Sequence, residues 1–204
     1  MQLTDDRLLL RPPKMSDADA LFEAARESIA ALATWLPWCH PNYQREESVG
    51  WIRLCRTGWD EGTAFQFFIF ARDTLGFLGS CGINEYDQPR RRANLGYWVR
   101  SRAQRTGVAT AAARLAARFA FNELGMQRLE IVAAVGNVAS QRVAARLGAT
   151  CEGCLRNRLR IGQVQHDAFG YSLIPGDAAQ WKVNDRESNL AASLAMRGAI
   201  PAPK

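Results

Sequence analysis

Histidine is nearly absent from this chain. The 204 residues hold two, His40 and His166, far apart. The cysteines number five, an odd count, scattered at Cys39, Cys55, Cys81, Cys151 and Cys154. That pattern argues against a disulfide framework. Cys151 and Cys154 have CxxC spacing, but no second pair or neighbouring histidine completes a zinc site, so no metal is expected. No run approaches the ~18 apolar residues of a membrane span. Residues 1–10 lack a basic segment followed by a long apolar stretch, so no secretory signal is read. The expectation is a bacterial-type cytoplasmic protein with no membrane partner. A Gly-Lys-Ser/Thr loop and the spaced glycines of a dinucleotide fingerprint are also missing. No helix-turn-helix, zinc or exposed-aromatic signature accompanies the basic charge, which argues against direct nucleic-acid binding.

What is present is ordinary in bulk. The chain is 48% hydrophobic and 23% charged, with a net charge of +6. Its length suits one domain. The charge suggests an anionic partner, such as a phosphate-bearing cofactor or an acidic protein surface. The spacing predicts a first strand at residues 8–11, stopped by Pro12 and Pro13. Ser16 then opens a helix, with Asp19 as its capping-box partner. A loop at 34–42 holds Trp35 and Trp38, and a second helix covers about 46–59. Strands follow at 65–71 and 75–83, then a polar loop at 85–93 with Arg90, Arg91 and Arg92. A central strand at 94–100 leads into an alanine-rich helix at 108–121. A buried strand at 129–135, a helix from Asn137 to Gly148, and two strands at about 150–161 and 164–173 complete the order. This is a mixed α/β chain around one sheet, with a crossover helix after the fourth strand. Residues 1–174 read as one domain, and 175–204 as a tail that is partly helical or disordered.

The segment Gln104-Arg105-Thr106-Gly107-Val108-Ala109-Thr110 joins the central strand to its helix. The first turn of a helix leaves backbone N–H groups unpaired, at the positive end of its dipole. Gly107 lets a ligand approach the backbone, and Arg100, Arg102 and Arg105 add charge. A diphosphate fits such a site. An idle strand–loop–helix junction is the competing reading. Arg156, Arg158 and Arg160 alternate with apolar and small polar residues. On a regular strand they share one face, facing either an acidic ligand or solvent.

Gln104, Gly107 and Ala109 match the Gln/Arg-x-x-Gly-x-Gly/Ala motif of the GNAT superfamily of acyl-CoA-dependent N-acetyltransferases, which this chain resembles. Asn137 and Ser140, with Leu147-Gly148, resemble that family's Asn-x-x-Ser helix, Ala149 standing where an aromatic is usual. Trp35-Leu36-Pro37-Trp38 resembles a loop of the Rim-type branch, which acetylates ribosomal-protein N-termini. Glu152 to Leu155 and His166-Asp167 also sit where that branch has similar residues. The resemblance covers roughly residues 7 to 174.

It implies a mostly antiparallel sheet of about seven strands flanked by helices, splayed between the fourth and fifth. Acetyl-CoA would lie in that cleft. Trp98, Val99 and Arg100 would meet the pantetheine arm. Arg105, Thr106, Gly107, Val108, Ala109 and Thr110 would hold the diphosphate. Asn137 reads as an N-cap, a cofactor contact, or both. Ser140 would sit near the thioester sulfur; a solvated first-turn serine is the alternative. The backbone N–H near Val99 would stabilise the oxyanion. Trp35, Trp38 and Asn94 would border the acceptor amine.

The chain departs from the Rim pattern where Asn94 replaces a glutamate. A second glutamate of that branch falls near Leu159. The base is then assigned to Glu85, with Asp87 and Tyr97 as alternatives and an ordinary surface carboxylate as the competing reading. The resemblance implies N-acetylation of a protein N-terminus or of a small amine. A non-catalytic CoA-binding protein is the reading from another class, and a homodimer is compatible with all three.

Overall fold

The computed structural model describes residues 1–181. In chain order its elements are β1 (Leu3–Thr4), β2 (Leu8–Arg11), α1 (Ala18–Leu32), α2 (Arg45–Glu61), β3 (Phe65–Ala71), β4 (Phe77–Asp87), β5 (Arg92–Val99), α3 (Val108–Asn122), β6 (Arg128–Ala134), α4 (Val138–Leu147), β7 (Thr150–Ile161), β8 (Val164–Leu173) and a final turn, α5 (Pro175–Ala178). The strands form one eight-stranded sheet in the order β1-β2-β3-β4-β5-β6-β8-β7. Neighbours are antiparallel except β5 and β6, which α3 joins as a parallel pair. The expected class holds. The eighth strand is Leu3–Thr4, too short for any alternating pattern to reveal, so the fourth and fifth strands of the sequence reading are β5 and β6.

Helices cover both faces. β3 is an almost unbroken apolar run for that reason. Phe65, Phe67 and Ile69 join the core under α3, whereas Phe68 and Phe70 pack with Leu21 and Ile52 of the α1/α2 layer. The α3 helix is rich in alanine because it lies close on the sheet. Ala112, Ala113, Ala116, Ala117 and Ala120 are fully buried. Phe119 reaches from it to Phe67, Phe65 and Trp59 with ring centroids 5.3, 5.7 and 5.8 Å apart. No helix among the described residues is long and apolar enough to cross a membrane.

Three local expectations are corrected. A single turn at Met15–Asp17 leads into α1; the Asp17 carboxylate closes that turn by accepting from the Lys14 N–H at 2.7 Å and pairs with Arg11, and it makes no cap bond to α1 itself. Asp19 is drawn instead to Arg45 of α2, at 2.5 Å. Residues 85–93 are not one loop: β4 runs on to Asp87, which closes a tight hairpin by pairing with Arg90 and Arg92. The arginines of β7 do not follow one uninterrupted alternation. The register against β8 slips between Leu155 and Leu159, with Asn157 at φ 51°. Asp167 accepts from the Asn157 N–H at 2.8 Å and holds that bulge. Residues 175–181 return to the domain, where Trp181 is buried and donates from Nε1 to Leu147 O at 2.9 Å. The rest of the expected tail, 182–204, lies outside the described residues.

Candidate active site

The β5–β6 pair is short by construction. Its register runs from Arg92↔Arg128 to Asn94↔Glu130 and stops, although β5 continues to Val99 and β6 to Ala134. Beyond Asn94 the strands part, and a cavity of about 710 Å³ opens between them. The exposed edge of β5 is set by its other neighbour. Arg100 N–H donates to Leu78 O on the β4 side, while Val99 O accepts from Gln104 Nε2 at 3.2 Å. A residue in a strand points both its N–H and its C=O to the same edge, and the edges alternate. Val99 and Tyr97 therefore aim their N–H groups into the cleft, and Trp98 and Arg100 aim theirs at β4.

The N-terminus of α3 forms one end of the cleft. Its N-cap is Gly107, at φ 85°, with no side-chain cap and no acidic residue in the first turn. The first intrahelical bond is Ala111 N–H to Gly107 O. The N–H groups of Val108, Ala109 and Thr110 precede it and have no helical acceptor. These three residues, with Gly107 and Arg105, line the cavity. Arg105 has φ 63°, a left-handed conformation that turns successive N–H groups towards one point. Thr106 does not line the cavity. It braces the loop through Oγ1 to Ala103 O at 2.7 Å, and its carbonyl accepts from Arg7. The helix thus offers backbone donors and no acceptor of its own, which fits a diphosphate.

At the other end α4 is capped differently. Asn137 Oδ1 accepts from Ser140 N–H at 3.1 Å, so the N-cap reading of Asn137 is realised while the residue also lines the cavity. Ser140 faces β5 across the splay. Tyr97 Oη lies 3.1 Å from Ser140 Oγ and donates to Ser140 O at 3.1 Å. Burial pushes the Tyr97 phenol up to about 12, so it remains a proton donor at neutral pH.

Other assigned residues are placed less centrally. Arg100 is buried and bound to Glu27 and to Phe77 O. Arg102 also lies beside Glu27, at 3.7 Å. Of the three arginines expected to add charge, Arg105 reaches the cavity and the other two are tied to α1. Glu85 sits exposed at φ 48° on the far part of β4 and does not line the cleft. Asn94 lines it and donates to Asn84 Oδ1 at 2.7 Å. Trp35 lines it, whereas Trp38 packs edge-on against Trp98 and Tyr43 and does not. Leu159, the position where the Rim branch has a second glutamate, and Ile161, which the sequence did not mark, reach the cavity past the bulge in β7. Sequence reasoning missed Arg142 and Arg146, which lie on the same stripe of α4 as Ala139 and Val143 and line the cavity with them.

Trp35 spans the cleft. Its ring lies so near the β6–α4 turn that a Cβ on Gly136 would come within 2.9 Å of Cη2. Gly136→Ala is therefore expected to displace the ring and lower kcat/KM for the acceptor roughly tenfold, since small misplacements of positioning groups are costly. Adding Trp35→Ala should recover little further loss, because the contact is already broken. Steady-state kinetics on both single variants and the double variant measure this, and strictly additive effects would refute the contact's role.

Comparison with known proteins agrees with this geometry. Residues 7–150 match the family model of the acetyltransferase (GNAT) domain. YdaF of Bacillus subtilis, provisionally assigned as a ribosomal N-acetyltransferase, is 38% identical over 96 residues, 47% of this chain and 52% of that protein. The match thus spans about half the length of that relative. A Vibrio cholerae structure, provisionally described as a ribosomal-protein-serine acetyltransferase, is 33% identical, with a TM-score of 0.77 over 86% of this chain and 98% of that one. RimL, a ribosomal L7/L12 α-N-protein acetyltransferase solved with coenzyme A, is 23% identical and shares the fold, with a TM-score of 0.79 over 85% of this chain and 98% of that one. An opened parallel pair, an uncapped helix over it and these matches together place the chain in the GNAT acetyltransferase family.

Proposed function

We propose that this chain moves an acetyl group from acetyl-CoA to the α-amino group of a protein or peptide N-terminus, by direct attack of the amine. The observation that carries the acceptor assignment is the cleft wall. Among the described residues that line it there is no aspartate or glutamate; the ionisable side chains there are those of Tyr97, Arg105, Arg142 and Arg146. An α-amino group, with a pKa near 8, is neutral about one time in ten at pH 7. A lysine, near 10.4, is neutral about one time in 2,500. A cleft without a carboxylate neither attracts a polycation nor strips a proton from a lysine, so it favours the amine that is already partly neutral. The kinship with ribosomal-protein acetyltransferases supports the same acceptor.

Acetyl-CoA supplies an electrophilic thioester carbonyl and a thiolate leaving group. The chain's own residues do the rest. The N–H groups at Val108, Ala109 and Thr110 hold the diphosphate. The Val99 N–H is aimed where negative charge develops on the carbonyl oxygen. The Ser140 hydroxyl, oriented by Tyr97, donates towards the departing sulfur. Trp35 and Asn94 border the amine, whose proton leaves to water. The proposed setting is the cytoplasm.

Thiol release from acetyl-CoA tests this with three acceptors: free N-terminal peptides, the same peptides blocked at the N-terminus but carrying an internal lysine, and spermidine. We expect turnover with the first. Its kcat/KM should rise about tenfold per pH unit below a bend near pH 8. Because the Tyr97 proton is held up to about 12, no second bend is expected in the working range. Faster turnover of spermidine would favour the small-amine reading. Tight CoA binding with no turnover of any acceptor would leave a CoA-binding protein without catalysis.

A further inference from the structure

The cavity between β5 and β6 has two sides of opposite character. Leu95 and Val99 of β5, with Leu129 and Ile131 of β6, join the core under α3. Side chains alternate along a strand, so Asn94, Gly96 and Trp98 of β5 and Val132 of β6 look out on the other side, where α1 lies. Trp98 packs there on the α1/α2 layer. Register carries the same face outward: Val132 pairs with Gly170 and Ala134 with Ala168 of β8, and His166, two residues on, pairs with Leu159 of β7. The ionisable side chains that line the cavity are all on the α3 side. Arg105 is on the loop before α3, Arg142 and Arg146 are on α4, and Tyr97 is turned to Ser140 of α4. On the α1 side the described lining residues carry no ionisable group. Trp35 and Leu36 follow α1, Val132 stands on β6, and Leu159 and Ile161 reach over from β7.

Gly96 is the floor of that apolar half. Its partner across the β4–β5 ladder is also a glycine, Gly82, but the two have different surroundings. A Cβ on Gly82 would run into the Gln66 side chain, which already covers it. A Cβ on Gly96 would meet the amide nitrogens of Asn84 and Asn94 at 3.7 and 3.8 Å and nothing nearer. That is ordinary contact, so the space over Gly96 is open to the cavity it lines. Glycine weakens a strand interior and marks a place where something comes close to the backbone. At Gly82 that neighbour is Gln66; at Gly96 the described residues supply none. The diphosphate donors of α3 and the Tyr97–Ser140 pair hold the other side, so the acceptor amine comes from the α1 side. Its first side chain begins two bonds from the attacking nitrogen and has to lie in the apolar half.

We propose that the acceptor's first residue carries an uncharged, apolar side chain of medium size, such as that of leucine, which occupies the space over Gly96, and that Gly96 thereby sets which N-termini are taken. The inference rests on the N-terminal acetylation reading above and narrows it. A charged first side chain would lose its water with no partner to replace it. Each methylene of an apolar one gains from burial against Val132, Leu159 and Ile161.

Thiol release from acetyl-CoA by the intact protein tests it, with peptides that are identical after a first residue of leucine, alanine, serine, aspartate or arginine. Wild type should show a kcat/KM for the leucine peptide roughly tenfold above alanine and serine and about a hundredfold above aspartate and arginine. Gly96→Ala fills part of the space and should cut the leucine-to-alanine ratio roughly tenfold; a general loss of activity does not move that ratio. Ile161→Glu, beside the exposed turn at Gly162, puts a carboxylate in the wall and should bring the arginine peptide within about tenfold of leucine. Equal rates for the five peptides in wild type, or a preference led by serine or a charged residue, overturn the proposal while leaving N-terminal acetylation intact. So does a leucine preference that neither variant alters. Turnover of spermidine or of an internal lysine, with none of the five peptides used, removes the N-terminal reading and this one with it.

Discussion

Gly107→Val is expected to weaken acetyl-CoA binding by about a hundredfold or more while leaving a folded protein. Gly107 is the N-cap of α3 at φ 85°, a conformation costly for any residue with a Cβ and most costly for a β-branched one. Space is not the obstacle, since a Cβ there meets only Arg7 Nη2, at 3.6 Å. The strain, about 1–3 kcal/mol, is a modest part of a domain's stability. The loss of binding is larger because the residue sets the aim of the next three N–H groups. A valine that relaxes to negative φ turns them away from a common point, and each charge-assisted bond lost is worth roughly tenfold or more. Gly107→Ala should fall between. Titration calorimetry with a thermal melt separates the two effects. Unchanged affinity with a lowered melting temperature would show that the loop does not hold the diphosphate.

The element order was legible because each long element has one strong period or one covered pair of faces. Residues 65–71 alternate between two aromatic layers, and 108–121 could be only a close-packed helix. The anion loop was legible for a related reason: helix N-terminus, glycine and preceding strand are all local. What escaped depends on distance along the chain. Glu27 is 73 residues from Arg100, so the arginines around the loop looked alike, and nothing in the sequence marked Arg105 as the one left to the cleft. Glu85 was misjudged through strand length. Ending the strand at Ile83 put the carboxylate in a free loop, whereas the strand carries on into a hairpin closed by Asp87. Trp38 was grouped with Trp35 by adjacency, yet one packs on Trp98 and the other crosses to Gly136. Arg142 and Arg146 could have been found: taken with Ala139 and Val143 they form an i, i+3, i+4, i+7 stripe on a helix whose first turn was already assigned to the site.

The second large effect concerns that hidden anchor. Glu27→Ala should destabilise the fold by about 3 kcal/mol and also reduce acetyl-CoA affinity. Glu27 bonds the Arg100 side chain and accepts from the Arg102 N–H at 3.0 Å, and its neighbour Ser28 accepts from the Ser101 N–H at 3.0 Å. α1 thus holds three consecutive residues just ahead of the anion loop. Removing the carboxylate leaves the Arg100 guanidinium, 6% exposed, with Phe77 O as its remaining partner. The cost sits at the lower end for a buried pair because the Glu27 side chain is 27% exposed and water can enter. Burial raises the Glu27 carboxyl, but bonds from Arg100 and the Arg102 N–H outweigh it, so the group titrates below its ordinary 4.5. A carboxylate depressed in the folded state adds stability above its unfolded pKa and loses it as pH falls through the folded one. The gap between wild type and Glu27→Ala in urea unfolding should therefore be full at pH 7 and narrow progressively below pH 4.5. Glu27→Gln keeps the shape and an acceptor for the Arg102 N–H and should lose less at pH 7. A gap that stays constant into acid would mean the residue stabilises through packing alone, and unaltered CoA affinity would mean the anion loop keeps its place without the α1 anchor.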